Sequence, residues 1–483
     1  MPFTEFCCRA GGSNLNAGSV DGSSTEPATT ALAAYTGGDW NATTDVYTAP
    51  VGADMGEAVI GRYASLFHDG DTEPTINQYL LAKITAVDAG ARTITLSTTN
   101  RTLMGTEVAT GSANRSLRIG GAWAGPSGAV GFPMTFLHKN IAGTTDYVPR
   151  VNYKNDQVYA ITATIAPVGL WATWHWGYSS TYEDGGYAEF NGGTVGASYT
   201  VINGNTSNQN YAYLHVINNG ATGQTNAMIV ASESVAFRVK VSGARGYGLV
   251  AGGSQGCALI ECEVYGCNTA NVLHMGGIGG NGSGVIVRCI SRDNMGSNNA
   301  GFYLSGVGMT PVDCISYGNG FTGFSLASSA YAAAIGCTAY SNGQAGFFVV
   351  NGGDVWLHLE NNVAVANGTY GVALNVASSG RHGMILNCAF GDNPSGNIHY
   401  NTVHGLVELG SITLGAGVRP WVDADAGDFR INHASLKNAG RGEYLQSDGG
   451  ITVGYRDIGS AQHQDDGGGG SIVRVEPTYA LGI

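Results

Sequence analysis

Carboxylates that lie close together are the first residues to consider, because hydrolysis of a glycosidic bond uses a pair of them. Residues 239–398 hold few acids, and only Glu261 and Glu263 stand near each other in sequence. Alternation along a strand points both side chains to one face, where Arg238 and Arg288 fall one repeat away. The guanidinium groups favour ionised carboxylates, and hence a surface row of ion pairs. Glu261, Glu263 and Arg288 are nevertheless the candidate catalytic residues.

A dense group of aromatic residues is the second candidate site. Aromatic rings in a loop can stack on the faces of sugars, so the group predicts glycan binding. The alternative is that alternate rings form the core and the rim of a single strand. The candidate glycan-binding residues are Trp171, Trp174, Trp176, Tyr178 and Tyr182.

Three aspartates near the end of the chain form a candidate metal site. Asp423, Asp425 and Asp428 offer the oxygen ligands that Ca²⁺ prefers. The alternative is that this run is a turn. No other cofactor is indicated by the sequence.

Residues 239–398 form a repeat with spacings of 23 to 27 residues. A period in this range without a helical pattern predicts a solenoid, in which each copy buries its apolar face against its neighbours. The anchors are Val239, Cys262, Cys289, Cys314, Cys337, Asn362 and Cys388. Five positions later most copies have an asparagine, namely Asn294, Asn319, Asn342, Asn367 and Asn393.

Each copy reads as three short strands joined by polar turns. Around Cys314, apolar and polar residues alternate, as they do in strands with one buried face. Coils stacked at about 4.8 Å would place equivalent residues directly over one another, so the asparagines form a ladder and the cysteines an inward column of free thiols. The predicted fold is all-β, a parallel β-helix of at least eight coils, right-handed by the crossover rule.

The repeat divides the chain into three regions. Residues 1–147 lack it and are predicted to form a β-rich N-terminal cap or docking domain. Residues 148–405 are the predicted β-helix, and residues 406–483 are a C-terminal cap and tail. In the last region, four glycines at 467–470 make a flexible joint before the strand-like stretch Ile472–Val475.

Composition excludes several classes of function. A net charge of −13 argues against nucleic acid as a partner, because such a surface needs clustered Lys and Arg. The sequence contains no run of 18 apolar residues, so it predicts no membrane span. The start, Met1–Phe6, has neither a basic leader nor an apolar core, so we expect no signal peptide and synthesis in a host cytoplasm.

The repeat resembles the pectate-lyase-like superfamily of right-handed parallel β-helices, which implies a groove worked by carboxylate pairs or by calcium with an arginine base. Segments 11–19 and 120–133 are similar to the N-termini of phage and metagenomic β-helix virion proteins. Segment 428–462 resembles the terminal cap of the choice-of-anchor Q surface β-helix proteins, through Asp428-Phe429-Arg430, Ala439-Gly440 and Arg456-Asp457-Ile458-Gly459.

These observations lead to an expected role in assembly and binding. We expect a virion surface protein (a phage spike, fibre or capsid decoration) that forms a homotrimer, contacts other virion proteins through residues 1–147 and binds cell-surface polysaccharide. A polysaccharide lyase or glycoside hydrolase, and a bacterial surface adhesin, stay open as alternatives, since a fold does not fix a function. The scarcity of paired acids favours binding over catalysis.

Overall fold

The computed structural model describes residues 3–14, 16–20, 23, 25–68, 79–104, 110–127, 133–134, 148–167, 172–193, 199–204, 208–219, 226–253, 256–271, 275–294, 296–297, 299–305, 308–327, 331–351, 356–376, 382–400, 406–437, 439–440, 443–444, 454–455 and 458–460. These residues contain strands and no helix, hence no helix long and apolar enough to cross a membrane. The chain divides into two compact units, Met1–Met309 and Thr310–Ile483.

In the first unit the chain winds through three parallel sheets, with one strand in each sheet per full coil. The first sheet holds Phe3–Cys8, Val148–Lys154, Thr173–Tyr178, Gln209–Ala212, Val235–Phe237, Cys257–Ile260 and Gly284–Val287. The second holds Val158–Ala160, Ala188–Asn191, Leu214–Ile217, Lys240–Ser242, Glu263–Tyr265 and Ile290–Arg292. The third holds Ile202–Asn203, Met228–Val230, Leu249–Ala251, Met275–Gly280 and Asn299–Leu304.

The second unit repeats this arrangement. Its first-sheet strands are Tyr331–Ile335, Trp356–Glu360, His382–Leu386 and Leu406–Leu409, and Met309–Val312 lies at the division between the units. Its second-sheet strands are Ile315–Tyr317, Thr338–Tyr340, Val363–Val365, Ala389–Gly391 and Ile412–Thr413. Its third-sheet strands are Phe324–Leu326, Phe347–Asn351, Tyr370–Val376 and Gly396–Tyr400. The described residues make about nine turns, which confirms the predicted all-β parallel β-helix of at least eight coils.

The solenoid begins earlier in the chain than residue 148 and ends later than residue 405. The strand Phe3–Cys8 pairs in parallel with Val148–Lys154, so the first residues form the outermost strand of the first sheet. Trp123 closes that strand's other edge, where its N–H donates to the Cys7 carbonyl at 2.9 Å. At the other end, Ile412–Thr413 still pairs with the second sheet. The predicted boundaries missed these strands because their partners are distant in sequence.

In the sequence, a closed antiparallel barrel is inserted between the first strand of the solenoid and the next one. Trp40, Tyr47, Leu66 and Leu117 are buried in its core. In order around the barrel, its strands are Ala33–Asn41, Val46–Thr48, Thr93–Met104, Tyr79–Asp88, Tyr63–His68 and Gly111–Ile119.

Two left-handed corners turn each coil. Arg238, Glu261 and Arg288 lie between the first-sheet and second-sheet strands, with φ of 50°, 54° and 51°. Ser341 and Ala366 lie directly after second-sheet strands, with φ of 51° and 58°. Non-glycine residues at such φ cost about 1–2 kcal/mol each. Side-chain contacts on each side of the corner must therefore hold it.

Buried asparagines follow the second of these corners. In the second unit, Oδ1 of Asn342 accepts from the side-chain amide of Asn319 at 2.9 Å and from its backbone N–H at 3.3 Å. Asn342 donates in turn to Asn367 at 3.0 Å, and Asn367 to Asn393 at 3.3 Å. In the first unit, Oδ1 of Asn294 accepts from the backbone N–H of Cys267 at 3.0 Å. The side chains thus carry hydrogen bonds from one coil to the next.

The anchor cysteines each precede a second-sheet strand and are buried. The nine cysteines of the chain all lie in the described residues and form no disulfide bonds. Burial raises the pKa of the Cys388 thiol to about 12, which keeps it neutral and unreactive. Cys262, Cys289, Cys314, Cys337 and Cys388 are at most 1% exposed.

The C-terminal region of the second unit packs along the outer face of the second sheet. Trp421, Phe429 and Leu436 are buried against Tyr340 and Val365 of that sheet. The hairpin Trp421–Asp423 and Asp428–Ile431 supplies two of these side chains. This region therefore covers the side of the coils in the second unit.

Replacing Asn342 by Ala should lower the free energy of unfolding by about 1–3 kcal/mol, because Asn319 then loses a buried acceptor for its backbone N–H and its side-chain amide. Urea titration followed by circular dichroism measures the change. Asn219→Ala, at an exposed position, is the matched control and should leave the midpoint unchanged. Equal midpoints for both variants would show that the asparagine does not support the coil.

Candidate functional site

The structure places Glu261 and Glu263 in two separate sets of ion pairs on the first unit. Glu261 pairs with Arg238 Nε at 2.6 Å and with Arg288 Nη2 at 2.7 Å. Glu263 pairs with Arg292 Nη2 at 2.8 Å and lies 3.7 Å from the Lys240 ammonium. Each carboxylate therefore has two cationic partners.

This arrangement is a set of surface ion pairs, the alternative to a catalytic pair. Burial alone would lower the pKa of Arg238, but the hydrogen bond and charge of Glu261 outweigh it, so the pKa is raised. The oxygens of Glu261 are occupied by two guanidinium groups, and those of Glu263 by the Arg292 guanidinium and the Lys240 ammonium, so neither carboxylate is open to a substrate. Glu261 and Arg288 pair at the left-handed corners, and Glu263 belongs to a separate set of ion pairs on the second sheet.

His215, which the sequence did not single out, lies in the same row as Lys240 and Glu263. It is the register partner of Lys240, which is in turn the register partner of Glu263. Its Nε2 is 3.3 Å from the Tyr265 hydroxyl and 3.3 Å from Ser242 Oγ. Burial lowers the pKa of His215, the Lys240 charge lowers it further, and Glu189 and Glu263 oppose the shift. The coil spacing between His215, Lys240 and Glu263 was the signal that could have identified this neighbour.

The predicted aromatic loop is largely a strand of the first sheet, Thr173–Tyr178. Trp176 is 5% exposed and Tyr178 is fully buried, so these two rings pack within the protein and are not open to a sugar. Trp174 and Tyr182 are half-buried. Trp171 lies outside the described residues. The prediction of a glycan-binding loop is therefore wrong for Trp176 and Tyr178.

The residues around this strand clamp the N-terminal strand in place. The buried Arg150 guanidinium donates to Glu5 Oε1 at 2.6 Å and Oε2 at 2.8 Å, and it also pairs with Glu183. The same guanidinium lies 5.3 Å from the centre of the Trp176 ring. Tyr178 Oη is 3.1 Å from Cys7 Sγ of the first strand. These contacts serve the fold, because they attach the first strand to the solenoid.

An open aromatic site lies on the outer face of the first sheet in the second unit. Tyr331 and Trp356 are register partners on adjacent strands. Tyr331 is 37% exposed and Trp356 is 45% exposed. Two large rings one strand apart on an exposed sheet face form what we call the Tyr331–Trp356 platform.

Polar groups adjoin this platform in a short chain. Nδ1 of His358 is 3.3 Å from the Tyr331 hydroxyl, and Nε2 of His358 is 3.0 Å from Glu360 Oε2. Burial and the charge of Glu360 raise the pKa of Tyr331, so its hydroxyl stays protonated and can donate. His358 and Glu360 each have 21% exposed side chains. The site thus offers two aromatic rings together with donors and acceptors that solvent reaches.

The three aspartates of the candidate metal site each have a partner in the protein. Asp423 Oδ1 accepts from the Ala426 N–H at 3.1 Å, and Asp425 Oδ1 accepts from the Tyr340 hydroxyl at 2.9 Å. Asp428 binds the Arg430 guanidinium, which lowers the pKa of Asp428. The described part of the chain contains no group of three His, Cys, Asp or Glu residues placed to hold a metal. Asp423, Asp425 and Asp428 therefore belong to a hairpin, which is the alternative to a calcium site.

Comparison with known proteins supports the architecture. Residues 227–393 match the family model "Right handed beta helix region". No curated protein matches the chain.

Three solved structures illustrate the range of similar proteins. Pectate lyase Pel9A is 14% identical, with a TM-score of 0.41, covering 70% of this chain and 96% of its own. The A-module of the Azotobacter vinelandii mannuronan C-5 epimerase AlgE4 is 15% identical, with a TM-score of 0.36. The match covers 56% of this chain and 80% of the A-module. ORF18 of Geobacillus virus E2 is 10% identical, with a TM-score of 0.33. The match covers 58% of this chain and 55% of ORF18. The family match over residues 227–393 and the three parallel sheets thus agree on one fold, a right-handed parallel β-helix.

Proposed function

We propose that the protein is a virion surface protein that binds polysaccharide through the Tyr331–Trp356 platform. The observation that carries the glycan-binding role is the exposure of two neighbouring aromatic rings on a rigid sheet face. Aromatic faces contact the apolar faces of sugar rings, and the adjacent hydroxyl, imidazole and carboxylate groups can hydrogen-bond to sugar hydroxyls.

The rest of the chain supports a role in assembly. The solenoid gives a stiff body, and in the second unit hydrogen bonds between buried asparagines join one coil to the next. The barrel formed by residues 33–119 has its own core, and in the proposal it contacts other virion proteins. A homotrimer is the proposed oligomer, displayed on the virion surface after synthesis in the host cytoplasm.

Cleavage of the bound polysaccharide is the second candidate function, and His358 is the observation that favours it. Its imidazole lies between the Glu360 carboxylate and the Tyr331 hydroxyl, an arrangement that can orient a general base or acid. A substrate sugar on the platform would lie beside this group. Binding without cleavage stays the first proposal, since Glu360 is the only carboxylate among the four residues of the site.

Replacing Trp356 by Ala should weaken polysaccharide binding at least about tenfold, because a ring that stacks on a ligand contributes roughly 1–3 kcal/mol. Electrophoretic retardation in gels that contain bacterial or algal polysaccharides measures the dissociation constant. Val285→Ala, an exposed apolar position on the first unit, is the control and should bind as the wild type does. Equal retardation of the two variants by every polysaccharide that slows the wild type would contradict the platform.

Incubation of the wild type with the polysaccharides that it binds should release no reducing ends and no unsaturated uronates. Chromatography and ultraviolet absorbance of the products measure both kinds of cleavage. Release that His358→Gln abolishes and Glu263→Gln leaves intact would replace the binding proposal by the enzymatic one. Glu263→Gln is the matched control, because its carboxylate lies in the ion-pair row.

A further inference from the structure

One carboxylate on the outer face of the first sheet in the second unit lacks a partner of fixed positive charge. Among the described residues, His358 is the one basic side chain within 4.0 Å of the Glu360 carboxylate, with Nε2 at 3.0 Å. An imidazole is cationic only when it is protonated, whereas a guanidinium always carries its charge. Asp392, in the same unit, has such a partner in Arg419 at 2.6 Å. Glu360 is therefore open to a cation from a ligand.

The register partners of Glu360 on the two neighbouring strands are apolar. They are Ile335, which is half-buried, and Leu386, which is 6% exposed. Neither side chain can offer a charge or a hydrogen bond. The Glu360 side chain is itself only 21% exposed, and a partly buried charge is unfavourable unless it is paired. An ammonium group of a ligand would supply the missing charge together with three N–H donors.

The carboxylate lies on the same sheet face as the aromatic rings. Trp356, His358 and Glu360 are alternate residues of one strand, and alternate residues point to the same side. At about 3.3 Å per residue, the first and the last of them are roughly 13 Å apart along the strand. A ligand that stacks on Trp356 and reaches Glu360 must therefore extend over more than one sugar ring. The platform and Glu360 together fit a segment of polysaccharide that lies along the strand.

We propose that the Tyr331–Trp356 platform recognises a polysaccharide that contains amino sugars with free amines, and that Glu360 binds the ammonium group. This inference rests on the proposed function and names its substrate class. An amino sugar keeps the apolar ring face that stacks on an aromatic ring, and aromatic faces attract cations as well. A polyuronate would instead bring carboxylates to Glu360, where no described cation of fixed charge offsets the repulsion. The net charge of −13 also opposes a polyanion.

Isothermal titration calorimetry of the full chain with two matched tetrasaccharides tests the inference. One is a β-1,4-linked tetramer of glucosamine, at a pH at which its free amines are protonated, and the other is the same tetramer with every amine acetylated. We expect the free-amine tetramer to bind at least about fivefold tighter, because a hydrogen-bonded charge pair forms only there. Glu360→Gln should make the two dissociation constants equal and leave that of the acetylated tetramer unchanged. Glu408→Gln, which removes the charge of an exposed acid in the same unit, is the matched control and should keep the preference.

Three outcomes would overturn the inference. The first is equal affinity of the wild type for the two tetramers, or binding of neither. The second is a preference that survives in Glu360→Gln, because the ammonium would then bind elsewhere. The third is a tetralysine peptide that binds as tightly as the free-amine tetramer, which would show attraction of cations without recognition of a sugar.

Trp356→Ala separates this inference from the proposed function. Weaker binding of both tetramers in Trp356→Ala, with the preference lost in Glu360→Gln, supports both proposals. Weaker binding in Trp356→Ala with an unchanged preference in Glu360→Gln leaves the platform as the glycan site and contradicts the ammonium contact alone. Equal binding by Trp356→Ala and the wild type contradicts the platform itself.

Discussion

The hydrogen bonds between stacked asparagines are the constraint on which the coils of the second unit depend. Each corner before them places a residue such as Ser341 or Ala366 in the left-handed region, which is unfavourable without compensation. The Oδ1 of Asn342 takes up two donors of the preceding coil inside a buried turn, where water cannot replace it. The stacked asparagines are 23 to 26 residues apart, and their coils keep one register because a shifted coil would leave these donors unpaired.

A fixed register explains where chemistry can occur on the surface. Residues one coil apart lie on adjacent strands, so side chains that are distant in sequence become neighbours in rows. On the first unit this brings cations to both sides of Glu261 and turns possible acids into structural ion pairs. On the second unit it brings Tyr331, Trp356 and His358 together on an open sheet face. The same rule yields a charge row in one place and a candidate glycan site in another.

The sequence predicted the interior of the fold better than its surface. The anchors and the asparagines recur because each coil buries a side chain of the same kind at the same inward position, and this recurrence appears in the sequence as a period. Outward positions are not restricted to one residue type, so the pairing of Trp356 with Tyr331 leaves no periodic signal in the sequence. The burial of Tyr178 depends on Cys7, which is 171 residues away, and no local pattern reports that contact.

The most direct measurement of the central claim is amide hydrogen exchange, resolved by residue, at the corners of the second unit. The account predicts that the backbone N–H groups of Asn319, Asn342 and Asn367 exchange as slowly as those of the strand Thr338–Tyr340, since each is bonded to the next asparagine. Exchange at the rate of the exposed turn residues Val51 and Gly52 would contradict the account, because the corners would then open independently of the sheets.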